Sequence, residues 1–158
     1  MTERYDFIIS TIKEAGELLV SETEKDFEVS AKGRDSRNIL TEVDLTIDQF
    51  LKNKIKEKYP EEKIYSEEGG DIFTEGSIWS LDPIDGTSNF ARAIPHFAIV
   101  VAFVENGEAV VGAIFNPITR ELFSFEKGSG VFLNNKPIQT SDIKNIKEYL
   151  NTKKMTAE

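Results

Sequence analysis

The sequence predicts an α+β domain, in which two N-terminal helices pack on a mostly antiparallel β-meander. Through the first third of the chain, apolar residues recur at spacings of three and four, which is typical of amphipathic helices. From Ile78 onward, short apolar runs alternate with turn residues, which is typical of a meander. A chain of 158 residues is long enough for one domain with its own core, so we expect a single domain over residues 1–158.

Both predicted helices follow from apolar stripes. The first covers residues 2 to about 24, with a stripe of Tyr5, Ile8, Ile12, Ala15 and Leu19. Residues 27–30 are predicted to form a turn or short strand, and a polar loop follows from Lys32 to Asn38. The second helix is predicted to begin at Thr41, with Asp44 as the acid of a capping box, and to end before Pro60.

The predicted strands are separated by recognisable turns. Residues 63–66 form a short strand that leads into Glu67-Glu68-Gly69-Gly70. Residues 97–104 are continuously apolar, which predicts a strand buried on both faces. Asn106-Gly107 predicts a hairpin turn to a partner strand over residues 109–115. Further strands are predicted at residues 122–125 and 131–133, and a weak helical pattern begins at Ile143.

Charge and composition exclude several classes of function. The chain has 19 basic and 28 acidic side chains, and its net charge of −9 disfavours binding to nucleic acids and to anionic membranes. The sequence contains no cysteine, which excludes thiolate metal sites and makes a reducing cytoplasm the expected location. We find neither a signal peptide nor an apolar stretch long enough to span a bilayer.

The most informative stretch is Asp82-Pro83-Ile84-Asp85-Gly86-Thr87-Ser88-Asn89-Phe90. In a regular strand Asp82 and Asp85 would point to opposite faces, but a β-turn over Pro83 would bring both carboxylates together. Two adjacent carboxylates need a cation, and an all-oxygen site favours Mg²⁺. The residues after Gly86 are suited to start a short helix whose free N–H groups bind phosphate. The stretch therefore predicts metal-assisted phosphoryl transfer to water.

Residues 82–90 resemble the D-P-x-D-G-T-x-N-F signature of the inositol monophosphatase-like family of Mg²⁺-dependent, lithium-sensitive sugar phosphatases. Similar motifs occur at residues 41–44, 66–69 and 126–134, and the resemblance runs in unbroken order from about Lys32 to Ser141. It implies the N-terminal half of the layered sugar-phosphatase fold. Complete family members continue into a second α/β domain that supplies another aspartate and most of the sugar pocket. Nothing after Ser141 resembles that domain, so we expect it to be absent.

The resemblance also implies roles for individual residues. Glu67, Asp82 and the backbone oxygen of Ile84 match ligands of a first Mg²⁺, and Asp82 with Asp85 matches ligands of a second. Glu67 and Thr87 match the pair that orients and deprotonates the attacking water, and Gly86, Thr87 and Ser88 match the phosphate-binding residues. Two positions stay open: Asp44 is either a helix cap or a catalytic acid at the edge of a third metal position, and Lys32 is either solvated or close to that position.

The expected function is hydrolysis of a small sugar or polyol phosphate such as inositol 1-phosphate, with fructose 1,6-bisphosphate as an alternative substrate. The alternative to an enzyme is a non-catalytic module that binds metal or associates with itself. The far face of the meander is expected to be apolar, which favours a homo-oligomer. His96 is expected to be structural or exposed, and Trp79 is expected in the core.

Overall fold

A computed structural model describes residues 1–30, 36–71 and 76–144, apart from the side chains of residues 24–30 and 36–41. Lys32 and the helical pattern beyond Lys144 lie outside the described residues. The helices are α1 (Glu3–Ser30), α2 (Ser36–Lys58) and α3 (Thr87–Phe90). The strands are β1 (Lys63–Ser66), β2 (Ser77–Asp85), β3 (Ala98–Glu105), β4 (Glu108–Asn116), β5 (Glu121–Glu126), β6 (Gly130–Leu133) and β7 (Lys136–Ile138).

The described strands form one seven-stranded sheet in the order of the sequence, β1 to β7. β1 pairs with β2 in parallel, and every later neighbour pairs in antiparallel fashion. α1 packs on α2, β3 and β4, while α2 packs on β2, so both long helices cover the same face. The prediction of an α+β fold with a mostly antiparallel meander is confirmed.

The core lies between the two helices and this face of the sheet. The predicted stripe of α1 is confirmed, since Tyr5, Ile8, Ile12, Ala15 and Leu19 are all buried. Trp79 is fully buried, as expected, and packs against Phe103 with ring centroids 5.1 Å apart. α1 approaches the sheet closely at Gly16, where a Cβ atom would lie 2.4 Å from the ring of Phe115.

Both helices are longer than predicted. α1 continues to Ser30, so the predicted turn or strand at residues 27–30 is wrong; no glycine or proline interrupts the chain between Gly16 and Ser30. α2 begins at Ser36, so the predicted capping box from Thr41 to Asp44 is also wrong. Asp44 instead lies inside the helix, where the amide groups already have partners one turn earlier.

The far face of the sheet, which carries neither α1 nor α2, is apolar and partly exposed. β3 is buried only at alternate positions, so the prediction of burial on both faces is wrong. Val100, Ile114, Phe123 and Leu133 form one cross-strand row on this face. Ile114 and Phe123 are 46% and 38% exposed, which is unusual for large apolar side chains in a sheet.

The two edges of the sheet are short. β1 has four residues, and on its outer side the amide of Asp71 donates to the Ile64 carbonyl oxygen at 2.7 Å. β7 has three residues, with Pro137 at its centre. In the part of the chain described here, we find no helix that is both long and apolar enough to cross a membrane.

Candidate functional site

A β-bulge at the end of β2 brings Asp82 and Asp85 to one place. Asp82 pairs with Val100 and Asp85 pairs with Ala98, so three steps along β2 face two steps along β3. The extra residue rotates the strand and removes the strict alternation of faces. The predicted β-turn over Pro83 is therefore wrong, but the bulge has the consequence that was expected of the turn.

The chain then turns sharply at Gly86 into the predicted short helix, α3. Gly86 has a φ of 92°, and a Cβ atom there would lie 3.0 Å from the carbonyl oxygen of His96. The hydroxyl of Thr87 donates to the carbonyl oxygen of Ile84 at 3.1 Å, which ties α3 to the bulge. Ser88 lies on the exposed side of α3, and its carbonyl oxygen accepts a hydrogen bond from Arg92 at 3.3 Å. His96 is exposed, as expected.

Glu67 and Glu68 occupy a tight turn after β1. The amide of Gly69 donates to the carbonyl oxygen of Ser66 at 3.0 Å, and Gly69 has a φ of 106°. Both glutamates are therefore the central residues of a turn, with exposed side chains. This turn adjoins the end of β2, because Ser66 pairs with Leu81 beside Asp82.

The electrostatics show that these acids lie together. The pKa of Asp82 is raised to about 6, chiefly by burial and then by the charges of Glu67 and Asp85, against a hydrogen bond from the Ile84 backbone that lowers it. Burial likewise raises the pKa of Asp44 to about 7, with contributions from Glu68, Asp82, Glu67 and Asp48. The fold thus brings acids from α2, the turn after β1 and the bulge of β2 into one cluster.

In the described part of the chain, this acidic cluster has no basic partner. Among the described residues, no lysine or arginine forms an ion pair with Asp44, Glu67, Asp82 or Asp85. Partly buried carboxylates without a counter-charge are costly unless a cation joins them. The donor set therefore fits a hard divalent cation that prefers oxygen, such as Mg²⁺.

The carboxylates are not arranged in advance to chelate. Within residues 1–30, 36–71 and 76–144, no three aspartate, glutamate or histidine side chains are placed so that one metal ion could contact them all. Binding of one ion by several of these acids therefore requires rotation of their side chains.

Two clefts differ in their position relative to this cluster. A cleft of about 340 Å³ adjoins Asp85 and Gly86 and is also lined by His96, Ile114 and Phe123. A larger one of about 570 Å³ lies between α1 and the turn after β4, with Lys13 and Arg120 in its walls. The larger cleft contains none of the clustered acids, so of these two clefts the smaller one is placed beside the acidic cluster.

Sequence reasoning missed Asp48 and Lys52 as parts of this region. Asp48 is buried and accepts hydrogen bonds from the Ser66 hydroxyl and from Lys52. The available signal was the spacing of four that relates both residues to Asp44, because it places all three on one side of a helix.

Comparison with known proteins identifies the fold and the motifs. The model of the inositol monophosphatase family matches residues 1–157. The chain belongs to the inositol monophosphatase family. Family membership confirms the resemblance that the motif at residues 82–90 indicated.

Individual relatives cover nearly all of this chain. It is 36% identical over 147 residues to "Fructose-1,6-bisphosphatase/inositol-1-monophosphatase" of Thermotoga maritima, covering 92% of this chain and 56% of the relative. It is 34% identical over 142 residues to "Nus factor SuhB" of Vibrio cholerae, covering 87% of this chain and 52% of the relative. The chain therefore spans about half the length of the curated relatives it matches.

Solved structures of the family have the same fold. The crystal structure of inositol monophosphatase-II from Staphylococcus aureus aligns with a TM-score of 0.79 and 28% identity, over 90% of this chain and 53% of that one. SaIMPase-II has also been solved with inositol monophosphate bound, and that structure aligns with a TM-score of 0.75 and 29% identity, over 90% of this chain and 51% of that one.

Proposed function

We propose that this chain carries the metal-binding part of a Mg²⁺-dependent phosphomonoesterase site. The observation that supports it best is the cluster of Asp44, Glu67, Asp82 and Asp85. Burial and like charges raise two pKa values in it, and no basic side chain among the described residues pairs with it. Such a cluster destabilises the fold when it is ionised, which is typical of sites built to bind a cation.

Four groups would hold Mg²⁺: the carboxylates of Glu67, Asp82 and Asp85 and the backbone oxygen of Ile84. The Ile84 oxygen accepts a hydrogen bond from Thr87, and a carbonyl oxygen has a second lone pair for a cation. When bound, Mg²⁺ would act as a Lewis acid on the phosphate and make a neighbouring water more acidic.

Glu67 and Thr87 are proposed to act on the attacking water. Because the Thr87 hydroxyl donates its proton to Ile84, its oxygen can accept a hydrogen bond from water. A carboxylate such as that of Glu67 can then take the water proton as general base. Asp44 would contribute a fourth acid at the edge of the site, where its buried position makes it responsive to bound positive charge.

The substrate phosphate would bind at the start of α3, at the backbone amides of Gly86 and Thr87 and beside Ser88. The organic part would enter the cleft of about 340 Å³ beside Asp85, a volume within the range of small-molecule sites. We propose a small sugar or polyol phosphate such as inositol 1-phosphate. The name of the Thermotoga maritima relative supports fructose 1,6-bisphosphate as a second substrate to test.

The experiment is phosphate release from inositol 1-phosphate and from fructose 1,6-bisphosphate, with Mg²⁺ titrated over the wild-type chain and Asp82→Asn. The proposal predicts release that requires Mg²⁺ and is lost in the variant. Glu61→Gln, which changes an exposed acid outside the cluster by the same charge, serves as the control and should retain release. The proposal would be refuted if neither wild type nor Asp82→Asn released phosphate and both bound Mg²⁺ equally well by calorimetry.

A non-catalytic module that associates with itself is the second candidate, and the exposed far face of the sheet favours it. Ile114, Phe123 and Val131 are each more than a third exposed on this face. One of the similar proteins is named a Nus factor rather than an enzyme. This candidate predicts Mg²⁺ binding or self-association without phosphate release.

A further inference from the structure

One side of α2 carries three polar residues at intervals of four: Asp44, Asp48 and Lys52. Residues at this spacing lie above one another on the same side of a helix. Asp44 belongs to the acidic cluster. Asp48 and Lys52 instead reach the turn that carries Glu67, so one helix contacts two separate parts of the site.

Both ends of the Glu67 turn are attached to α2. At the first residue of the turn, the Ser66 hydroxyl donates to Oδ1 of Asp48. At the last residue, Nζ of Lys52 donates to the carbonyl oxygen of Gly69 at 2.5 Å and also to Oδ2 of Asp48 at 2.5 Å. Asp48 therefore joins the two attachments, and the two glutamates lie between them.

The attachment at Ser66 is shielded from water, since Asp48 is 4% exposed and Ser66 is 3% exposed. Hydrogen bonds to a charged group in such surroundings are stronger than those at the surface. The base of the turn is closed as well, because the Ile64 amide donates to the Asp71 carboxylate at 2.8 Å. The turn therefore has little freedom to move relative to α2.

We propose that Asp48 and Lys52 are positioning residues, which hold the Glu67 turn at the distance from Asp44 and Asp82 that cation binding requires. This inference rests on the proposed function, because it concerns the same acidic cluster. Neither residue needs to touch the cation; both act through Ser66 and Gly69.

Lys52→Met provides the decisive test, because positioning and simple electrostatics predict opposite results. Removal of a positive charge near a cation site would by itself strengthen Mg²⁺ binding. Loss of the attachment to Gly69 should instead weaken it, by about 10-fold if the effect resembles that of other residues that support metal ligands. Calorimetric titration with Mg²⁺ measures this change, and tighter or unchanged binding in Lys52→Met would overturn the inference.

Three further variants separate position from charge. Lys54→Met removes the same charge from the same helix, but Lys54 pairs with Glu14 on α1, so Mg²⁺ affinity should be unchanged. Ser66→Ala removes the other attachment without any change of charge and should also weaken binding. Lys52→Arg keeps the donors and should recover most of the affinity. Thermal unfolding of each variant establishes that it is folded.

Hydrogen exchange reports on the turn independently of metal. The Gly69 amide, which donates to Ser66, should exchange faster in Lys52→Met and Ser66→Ala than in wild type and Lys54→Met. The inference would be overturned if the Gly69 amide exchanged at the wild-type rate in both Lys52→Met and Ser66→Ala. Should wild type and Asp82→Asn bind Mg²⁺ equally, the proposed function fails, and the exchange result alone then decides whether α2 holds the turn.

Discussion

Among the described carboxyl groups, Asp44 and Asp82 have the pKa values that the fold raises most. Their pKa values are raised to about 7 and about 6, first by burial and then by neighbouring acids. Between about pH 4 and pH 7 the folded chain therefore binds more protons at these groups than the unfolded chain does. The free energy of unfolding must fall as the pH rises through this range. Below it, both groups are protonated in the folded and the unfolded chain and do not lower the stability.

We expect Asp44→Asn and Asp82→Asn to stabilise the protein at pH 8 in the absence of divalent cations. Each should add about 1 kcal/mol, after allowance for solvent screening, or about 2–4 °C in Tm. The gain should disappear near pH 4, where wild type is protonated as well. Thermal unfolding followed by circular dichroism across this range measures it, with Glu61→Gln as control. A gain of equal size at every pH would contradict the explanation.

Gly86 is required for a conformation that other residues adopt at a cost. Its φ of 92° resembles that of Gly128 at 86°, but only at Gly86 would a Cβ atom meet other atoms, at 3.0 Å from His96 and 3.2 Å from Phe97. Gly128→Ala should cost about 1 kcal/mol through backbone strain alone, and Gly86→Ala should cost more. Chemical denaturation measures both. Equal losses would show that the close approach of residues 96–97 is unimportant.

The residues of the acidic cluster were predictable to different degrees. Asp82, Asp85 and Glu67 were singled out from their motifs, and the structure brings them together. Asp44 was left between two roles, and the cap is excluded because α2 begins at Ser36. The spacing of four places Asp48 on the Asp44 side of α2, but the contact of Asp48 with Ser66 is a tertiary contact between α2 and β1, which spacing alone does not predict.

Among the secondary-structure elements, the predictions were wrong where the same residue type is common in two different local structures. Pro83 suits a β-turn, but proline in a central strand is also typical of a bulge, and the continued pairing of β2 with β3 favours the bulge. β7 was not predicted. It follows a turn at Asn134 and Asn135, which both have positive φ in the structure, of 49° and 64°. Asparagine tolerates this conformation in two-residue hairpin turns, so the pair was a usable signal.

Glu62, which lies between α2 and β1, joins the start of α1 to β2. Its carboxylate accepts two hydrogen bonds from Arg4 at 2.8 Å and one from the Trp79 indole at 2.5 Å. We expect Glu62→Gln to lower the free energy of unfolding by about 1–3 kcal/mol, because the charged acceptor of three donors is lost. Glu3→Gln, which breaks the more exposed pair with Lys58, should leave Tm nearly unchanged. Similar Tm values for both variants would contradict this.

For the molecule as a whole, the far face of the sheet predicts self-association. The row of Val100, Ile114, Phe123 and Leu133 contains no charged residue. Ile114→Lys should therefore shift the chain toward a monomer of 17.8 kDa in sedimentation velocity. Ile118→Lys changes an isoleucine of similar exposure, 51% against 46%, in a turn outside this row and should have no effect. A wild-type chain that is monomeric at all concentrations would contradict the prediction.

The short edges of the sheet limit how copies of this chain can meet. Asp71 hydrogen-bonds to both the amide and the carbonyl oxygen of Ile64 on the outer side of β1. Pro137 has no amide donor in the middle of β7. Neither edge therefore offers the continuous row of free donors and acceptors that a strand from another molecule would need. The predicted self-association would therefore occur face to face, which closes after two copies, whereas pairing at open edges would propagate into fibres. We therefore expect the exposed apolar face to favour closed pairs of copies over amyloid growth.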